Sequence, residues 1–209
     1  MGAKERRARE KEKRREEILG AARKLLLKDG LSHTSVNKIA KKAELSIGSI
    51  YFYFKNKEEI FASLQHEGLE ILRSNILAAT ENIANPEEKL EQCARAYFRF
   101  SEEHTEYFDV ISYFLSSSQI FFSNDIKKSI DDEGVEMLKH IEAIIVEGVR
   151  KNIFVESRPG NFAVFFWASV HGLVQVRKLR QAVVESENFT DFYLYSVRKL
   201  IDSIRHKEA

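Results

Sequence analysis

Apolar residues recur at helical spacing along most of the 209-residue chain, and no segment shows the sustained alternation that is typical of a β-strand. Only two prolines, Pro86 and Pro159, and nine glycines occur, so long uninterrupted helices are allowed almost everywhere. The predicted fold is therefore all-α, with about nine helices divided by cap and turn residues and no internal repeat. The predicted helices cover about residues 18–29, 34–43, 47–53, 57–83, 86–103, 105–115, 124–151, 159–184 and 188–206, with a break at SSSQ (116–119).

The formal net charge of +1 hides a strong asymmetry along the chain. Residues 1–57 hold 16 Lys and Arg against 7 Asp and Glu, whereas the remainder holds 17 against 25. A basic end on an otherwise acidic chain indicates that this end meets a polyanion, although a solvated basic face has the same composition. Residues 1–17 form a basic, charged extension without an apolar face. This extension either continues the first helix or forms a mobile arm, and it either reaches DNA or only solubilises the chain.

Several functional classes are not indicated by the sequence. No apolar run approaches the roughly 20 residues that span a bilayer, and the charged N-terminus has no apolar segment typical of an export signal. The single cysteine, Cys93, cannot form an internal disulfide, and we interpret it as a small buried apolar residue. The histidines form no HExxH or ExxH motif, and no phosphate-binding glycine loop occurs. We therefore expect a cytoplasmic protein that is not an enzyme, uses no cofactor or metal and has no membrane partner.

Residues 34–57 contain two short amphipathic segments separated by one tight turn. Gly30 ends the preceding helix, and Thr34 is the predicted N-cap of the second helix. Ser46 is the predicted cap of the third helix, and Asn56 caps the fourth with Glu59 at its third position. Two short helices joined this closely are typical of a helix-turn-helix, whose second helix lies in the major groove of DNA.

Four successive aromatics, from Tyr51 to Phe54, close the third predicted helix. Because successive helical residues are about 100° apart, the four side chains cannot all face one core. We predict that Phe52 and Phe54 point inward, and that Tyr51 and Tyr53 point outward toward phosphate, sugar or a thymine methyl. Lys57 lies at the positive end of the fourth helix, which indicates that it shares an external anion with that helix N-terminus, unless it is an unpaired surface lysine.

This part of the chain resembles the DNA-binding domain of TetR-family transcriptional regulators. The matching residues are Ile18, Ala22, Leu26, Gly30, Thr34-Ser35-Val36, Ile39-Ala40, Ala43, Leu45-Ser46, Gly48-Ser49-Ile50-Tyr51-Phe52-Tyr53-Phe54 and Lys55-Asn56-Lys57-Glu58-Glu59-Ile60. The resemblance implies an N-terminal three-helix DNA-binding domain over residues 18–62, and a helical ligand-binding and dimerisation domain over residues 63–209. It also implies that the DNA contacts are made by Thr34, Ser35, Lys38, Ser46, Ile47, Gly48, Ser49, Tyr51, Tyr53 and Lys57.

One departure from the family pattern concerns base recognition. The side chains expected in the groove are small or apolar, without an Arg, Asn or Gln that would make bidentate base contacts. Gly48 lets the backbone come close to DNA, and Ile47 offers only apolar contacts. Base specificity then comes from few contacts, from Lys41 or Lys42, or from DNA shape, and the operator sequence cannot be read.

The C-terminal region is expected to contain a dimer interface and a small-molecule site. The last two predicted helices are apolar on more than one side, which favours burial against a second copy, the alternative being a monomer with a deep core. The predicted dimer residues are Phe165, Val176, Phe192, Leu200 and Ile204. An aromatic cluster over residues 97–122 either is plain core or lines a pocket with a few polar groups. The predicted ligand-binding residues are Tyr97, Phe108, Tyr113, Phe114, Phe166, Trp167, His171 and Gln175.

The sequence thus predicts a homodimeric regulator that binds a palindromic operator in double-stranded DNA. It is expected to be a repressor that a hydrophobic or aromatic small molecule releases from DNA, although activation stays open. One alternative is an all-α small-molecule or lipid-binding protein or enzyme with an incidental basic N-terminus. Another is a DNA-binding or architectural protein that senses no ligand.

Overall fold

The computed structural model describes residues 2–116, 121–177 and 188–206. Nine helices lie within these residues, which confirms the all-α prediction. Their bounds are α1 Ala3–Asp29, α2 Val36–Lys42, α3 Ile47–Tyr53, α4 Lys57–Thr80, α5 Pro86–Glu103, α6 Thr105–Ser116, α7 Asn124–Arg150, α8 Pro159–Gln175 and α9 Phe189–Asp202. Residues 117–119 of the predicted break and residues 178–184 of the predicted eighth helix lie outside the described residues.

Most helix ends follow the predicted capping, with two differences. The charged extension is helical, because α1 begins at Ala3. α1 ends at Asp29, and Gly30 follows it as the C-cap with a φ of 76°. The N-cap of α2 is Ser35, whose hydroxyl accepts a hydrogen bond from the backbone N–H of Lys38, so the prediction of Thr34 as the cap was wrong by one residue. α4 ends at Thr80, three residues before the predicted end.

Contacts between Cα atoms divide the chain into two compact units. Unit 1 comprises residues 1–69 and 105–131, and unit 2 comprises residues 70–104 and 132–209. Unit 1 therefore contains α6 in addition to the helix-turn-helix. The predicted division into functional domains at residue 62 stays a prediction.

The core of unit 1 joins α1, the short helices α2 and α3, the first half of α4 and α6. Ile18 and Leu26 of α1, Ile39 of α2 and Ile50 of α3 are all 1% exposed or less in one cluster, and Val110 of α6 is completely buried in the same cluster. Ile39 and Ile50 therefore fix the inward faces of the helix-turn-helix.

The core of unit 2 is built where α5, α8 and α9 pack against one another. Tyr193 of α9 is fully buried, and its hydroxyl donates to the carbonyl oxygen of Ala94 at 2.8 Å. The end of α7 is closed by Phe154, whose ring lies so near Gly148 that a Cβ there would be 2.0 Å from it. Only glycine leaves room for this ring at position 148.

Candidate nucleic-acid interface and small-molecule site

The two short helices of unit 1 are held by buried residues on one side and by capping serines at their N-termini. Ser46 caps α3, where its hydroxyl accepts from the backbone N–H of Ser49 at 3.0 Å and lies 2.8 Å from the Ser49 hydroxyl. Glu44, in the turn before it, has a positive φ of 56°. This turn therefore places α3 with Ile50 inward and the opposite side of the helix toward solvent.

The outward side of α3 presents small and apolar groups. Ile47 is 45% exposed and Tyr51 is 54% exposed, and Gly48 and Ser46 are exposed between and beside them. The nearest non-neighbouring atom to a Cβ built on Gly48 is the Ser46 Oγ at 3.8 Å, so the protein itself leaves open space at this position. An exposed apolar helix face of this kind suits contact with sugars and thymine methyls.

The four aromatics of residues 51–54 divide differently from the prediction. Phe54 is 3% exposed and lies in the core, as predicted, and Tyr51 is exposed, as predicted. Phe52, however, is 75% exposed, while Tyr53 is half-buried against the core. The reason is helical phase: Phe52 follows the inward Ile50 by two residues, about 200° around the helix, and so lies on the far side. Phe54 reaches the core from the extended residue that follows α3. The spacing of Ile50 was the signal that the sequence prediction missed.

Two of the three candidate DNA contacts on α2 are exposed. Ser35 and Lys38 face solvent, and the Lys38 ammonium donates to the carbonyl oxygen of His33 at 2.7 Å. Thr34 is only 2% exposed, and its hydroxyl donates to the carbonyl oxygen of Gly30 at 2.8 Å. The prediction of a DNA contact through the Thr34 side chain is therefore corrected, because this side chain holds the turn before α2.

The interpretation of Lys57 as a cation directed at an external anion is also wrong. Its ammonium donates to the carbonyl oxygens of Leu31 at 2.9 Å and Thr34 at 2.8 Å. The same nitrogen lies 5.4 Å from the centre of the Phe121 ring. Burial lowers the pKa of the Lys57 ammonium. Two of its three N–H donors are thus used within unit 1, by backbone groups that no local sequence pattern identifies.

The predicted ligand-binding residues fall into two groups. Phe108, Tyr113 and Phe114 belong to unit 1, and the Tyr113 hydroxyl accepts a hydrogen bond from the backbone N–H of Leu31 at 3.1 Å. The other five belong to unit 2, where Phe166 is a core residue that is 1% exposed. The single site of eight residues stays a prediction. Within it, Tyr113 has a structural partner and Phe166 is packed in the core.

Four of the predicted residues in unit 2 do meet. The Tyr97 hydroxyl lies 2.6 Å from Nδ1 of His171, and the Trp167 ring stacks on the imidazole with ring centres 5.5 Å apart. The Gln175 amide lies 3.5 Å from Nε2 of the same imidazole. Burial raises the pKa of the Tyr97 phenol and lowers the pKa of His171, which favours a neutral pair. A neutral polar pair beside an indole suits a largely apolar ligand.

A cavity of about 670 Å³ in unit 2 was not predicted. Its described lining includes none of the predicted ligand-binding residues. The Thr80 hydroxyl lies 3.0 Å from Nε2 of His140 in its wall, and the Lys89 ammonium donates to the Glu147 carboxylate at 2.6 Å. The apolar part of the cavity wall is formed by Leu77, Ala78, Ala143 and Ile144. Burial lowers the pKa of His140, and the positive charge of Lys89 lowers it further. Lys151 and Lys89, which both bond to Glu147, hold the pKa of its carboxyl at about 2.

The segment of unit 1 that contains α2 and α3 matches a known protein family. Residues 18–64 match the family model described as bacterial regulatory proteins, tetR family. Over these residues the chain is therefore similar to the TetR family. This match contains all of α2 and α3 and residues 57–64 of α4.

Relatives extend the TetR-family match to different lengths. Over 51 residues, the chain is 41% identical to an uncharacterized HTH-type transcriptional regulator of Haemophilus influenzae, and the matched residues make up 24% of this chain and 27% of that protein. Over 134 residues, it is 27% identical to the fatty acid metabolism regulator protein of Bacillus subtilis, and the matched residues make up 64% of this chain and 67% of that protein. The crystal structure of AibR in complex with isovaleryl coenzyme A and operator DNA superposes with a TM-score of 0.73 at 16% identity, covering 93% of this chain and 100% of that one.

The predicted dimer residues differ in exposure. Phe165 is 53% exposed and Val176 is 42% exposed, while Phe192 and Leu200 are half-buried. Ile204 is 4% exposed, and its carbonyl oxygen accepts from the backbone N–H of Val155 at 2.7 Å, so its side chain is corrected to a core residue of unit 2. Within the described residues, no helix is both long enough and apolar enough to cross a membrane.

Proposed function

We propose that the protein is a ligand-responsive transcriptional regulator, acting in the cytoplasm as a homodimeric repressor on a palindromic operator. The observation that carries this proposal is the outward side of α3, where Ile47, Gly48 and Tyr51 are exposed on a helix whose other side is fixed in the core by Ile50. A soluble fold has no reason within itself to expose this apolar face, and the major groove of DNA accepts a helix of this size.

The proposed DNA contacts come from α2 and α3. At α2, Ser35 and Lys38 contact phosphates, and at α3, Ser46, Ile47, Gly48, Ser49 and Tyr51 face the groove. The half-buried Tyr53 contacts DNA only through the part of its side chain that the core leaves exposed. Phe52 joins this set because it is 75% exposed beside Tyr51. Thr34 and Lys57 leave it, because their polar groups are bonded within unit 1. Their substitution is expected to act through the turn before α2 and not through a lost DNA contact.

DNA binding is tested by selecting duplexes of about 30 base pairs from a random pool, a length that holds two half-sites one or two helical turns apart. Fluorescence anisotropy at several salt concentrations then gives the affinity and its salt dependence. We expect Tyr51→Ala to weaken binding about 5- to 150-fold, as for the loss of a base or backbone contact of about 1–3 kcal/mol. The control Val155→Ala removes a side chain that is 63% exposed in unit 2 and should leave affinity unchanged. Wild-type binding without sequence preference or salt dependence would refute DNA-binding regulation.

The homodimer is proposed to form through α8 and α9. Val164, Phe165 and Val176 are each at least 42% exposed, which leaves an apolar strip along α8. A second copy related by two-fold symmetry would cover this strip and place two α3 helices on one operator. Light scattering coupled to size-exclusion chromatography measures the mass directly, and a monomer at micromolar concentration would contradict the proposal.

The proposed effector is a hydrophobic small molecule, and acyl coenzyme A thioesters are the first probes to test. The support is that the Bacillus subtilis relative is named a fatty acid metabolism regulator protein, and that the AibR structure contains isovaleryl coenzyme A with operator DNA. Two positions in unit 2 are candidates for this molecule. They are the cluster around His171 and the cavity around His140.

Two substitutions separate these positions. Ala143→Trp narrows the cavity by a bulky ring, and His171→Phe removes the imidazole that Tyr97 and Gln175 contact. Release of the selected duplex is measured with isovaleryl and long-chain acyl coenzyme A, and with coenzyme A alone as the control. The variant that keeps DNA affinity but loses release identifies the site. If no acyl thioester changes DNA affinity of the wild-type protein, this effector class is wrong.

A further inference from the structure

The turn that connects α1 to α2, residues 30–35, is held by side chains that come from far along the chain. Gly30 ends α1 with a positive φ of 76°, and the Thr34 hydroxyl donates to its carbonyl oxygen at 2.8 Å. Ser35 then caps α2. The conformation of these six residues therefore decides where α2 begins and in which direction it leaves α1.

Two backbone groups of Leu31 are paired with side chains from other helices. Its N–H donates to the Tyr113 hydroxyl of α6 at 3.1 Å, across 82 residues of sequence. Its carbonyl oxygen accepts from the Lys57 ammonium of α4 at 2.9 Å, and the same ammonium donates to the Thr34 carbonyl oxygen at 2.8 Å. Because Leu31 is only 5% exposed, little water can replace either partner. The turn thus depends on both α4 and α6.

The surroundings of Tyr113 and Lys57 keep these groups in place. The Tyr113 ring meets the Phe114 ring edge to face with centres 5.4 Å apart. Phe121 lies 5.9 Å from Phe114, and the Lys57 ammonium lies 5.4 Å from the Phe121 ring centre. The two groups that hold the turn therefore rest on one set of aromatic rings that belongs to α6 and the chain after it.

α6 also has a second polar connection within unit 1, and this connection does not involve the turn. The Tyr107 hydroxyl donates to the Glu67 carboxylate of α4 at 3.0 Å. A Cβ on Gly68 would lie 3.3 Å from the Tyr107 side chain, so α4 and α6 pack tightly at this point. Tyr107 and Tyr113 are thus two half-buried tyrosines on one helix, of which only Tyr113 bonds to the turn.

We propose that Tyr113 is a positioning residue for DNA binding, through which the state of α6 sets the α1–α2 turn and hence the placement of α2 beside α3. This inference rests on the proposed DNA-binding function. If α6 moves away from Leu31, the buried N–H of Leu31 loses the Tyr113 hydroxyl as its acceptor, and the turn is released on that side. The Lys57 ammonium holds the turn on the other side, so its contribution and that of Tyr113 depend on each other.

The test compares Tyr113→Phe with the matched variant Tyr107→Phe. Each removes one hydroxyl from α6 and keeps the ring. Affinity for the selected duplex is measured by anisotropy at fixed salt, amide hydrogen exchange is measured for residues 30–35, and the thermal midpoint is recorded for each variant. We expect Tyr113→Phe to raise the exchange rate in the turn about tenfold and to weaken DNA binding about tenfold. Both effects follow from the cost of leaving the buried N–H of Leu31 without an acceptor. Tyr107→Phe should change neither the exchange rates in the turn nor the DNA affinity, even if its thermal midpoint falls as far as that of Tyr113→Phe.

A double-mutant cycle with Lys57→Met distinguishes positioning from general loss of stability. The effects of Tyr113→Phe and Lys57→Met on DNA affinity should be non-additive, because both act on Leu31, whereas those of Tyr107→Phe and Lys57→Met should add. Equal DNA affinity of Tyr113→Phe and wild type, or an equal loss in Tyr107→Phe, would overturn the inference. If the wild-type protein shows no salt-dependent DNA binding, the proposed function falls instead. Hydrogen exchange then still decides whether Tyr113 holds the turn, and equal rates in Tyr113→Phe and wild type would show that it does not.

Discussion

Replacement of Gly48 by alanine should separate the stability of the helix-turn-helix from its binding to DNA. Gly48 is the second residue of α3 and is exposed, and an added Cβ would have the Ser46 Oγ at 3.8 Å as its nearest neighbour. The free protein therefore accepts the methyl group without a clash. Alanine in a helix is more stable than glycine by about 0.5–1 kcal/mol. For a chain of this length, this gain raises the thermal midpoint by about 1–4 °C.

The same methyl group should weaken DNA binding if the backbone of α3 lies against the groove. A methyl inserted into a close-packed interface costs about 1–3 kcal/mol, which is about 5- to 150-fold in affinity. The matched control is Gly134→Ala in α7, where an added Cβ meets nothing within 4 Å and therefore causes no clash either. This control should gain similar stability and keep wild-type affinity. Calorimetry and anisotropy on the selected duplex measure the two effects. Gly48→Ala with unchanged affinity would refute the close approach of α3 to DNA.

Three further outcomes are expected. Glu44→Gly should raise the free energy of unfolding by about 1 kcal/mol in urea titrations, because the φ of 56° is costly for a side chain with a Cβ, and an unchanged midpoint would contradict this. Phe165→Glu should convert the dimer to a monomer in light scattering, whereas Val155→Glu, at a residue that is even more exposed but lies in a loop, should not; a dimer in both would exclude α8 from the interface. The Glu147 carboxyl has a lowered pKa of about 2, so its stabilising contribution is present above its ordinary pKa of 4.5 and is lost as pH falls toward 2. Glu147→Gln should therefore flatten the pH dependence of stability between about pH 4.5 and 2, and an identical profile would remove Glu147 as the cause.

The features that were predictable from the sequence are local ones. Apolar spacing and cap residues gave the helices, and Ser46 and Asn56 accept the capping hydrogen bonds expected of them, from Ser49 and Glu59. Helical phase was also available locally, since Phe52 lies two residues, or about 200°, from the inward Ile50 and must therefore point outward. That information was present in the sequence, and the prediction did not use it.

The partners of Lys57 and Tyr113 were not predictable in this way. The contacts with Leu31 span 26 and 82 residues, and a hydrogen bond to a backbone group leaves no trace in the identity of the residue that provides it. Lys57 was correctly recognised as poorly placed for its own helix dipole. Its compensation comes from two carbonyl oxygens of another turn, and not from an external anion. The cavity around His140 was missed for the same reason, since Thr80 and His140 lie 60 residues apart.

Because α6 belongs to unit 1, the core of this unit cannot be completed until α6 has been synthesised. Val110 is fully buried in the same core as α1 to α3, and the Gln65 side chain donates to its carbonyl oxygen at 3.2 Å. The first 69 residues leave the ribosome before α6 exists, so they must wait with part of their apolar surface uncovered. A gene fragment that ends at residue 69 would keep this surface exposed permanently. Expression of the helix-turn-helix alone is therefore expected to yield an insoluble or partly folded product, whereas a fragment that extends beyond residue 131 includes every segment of unit 1.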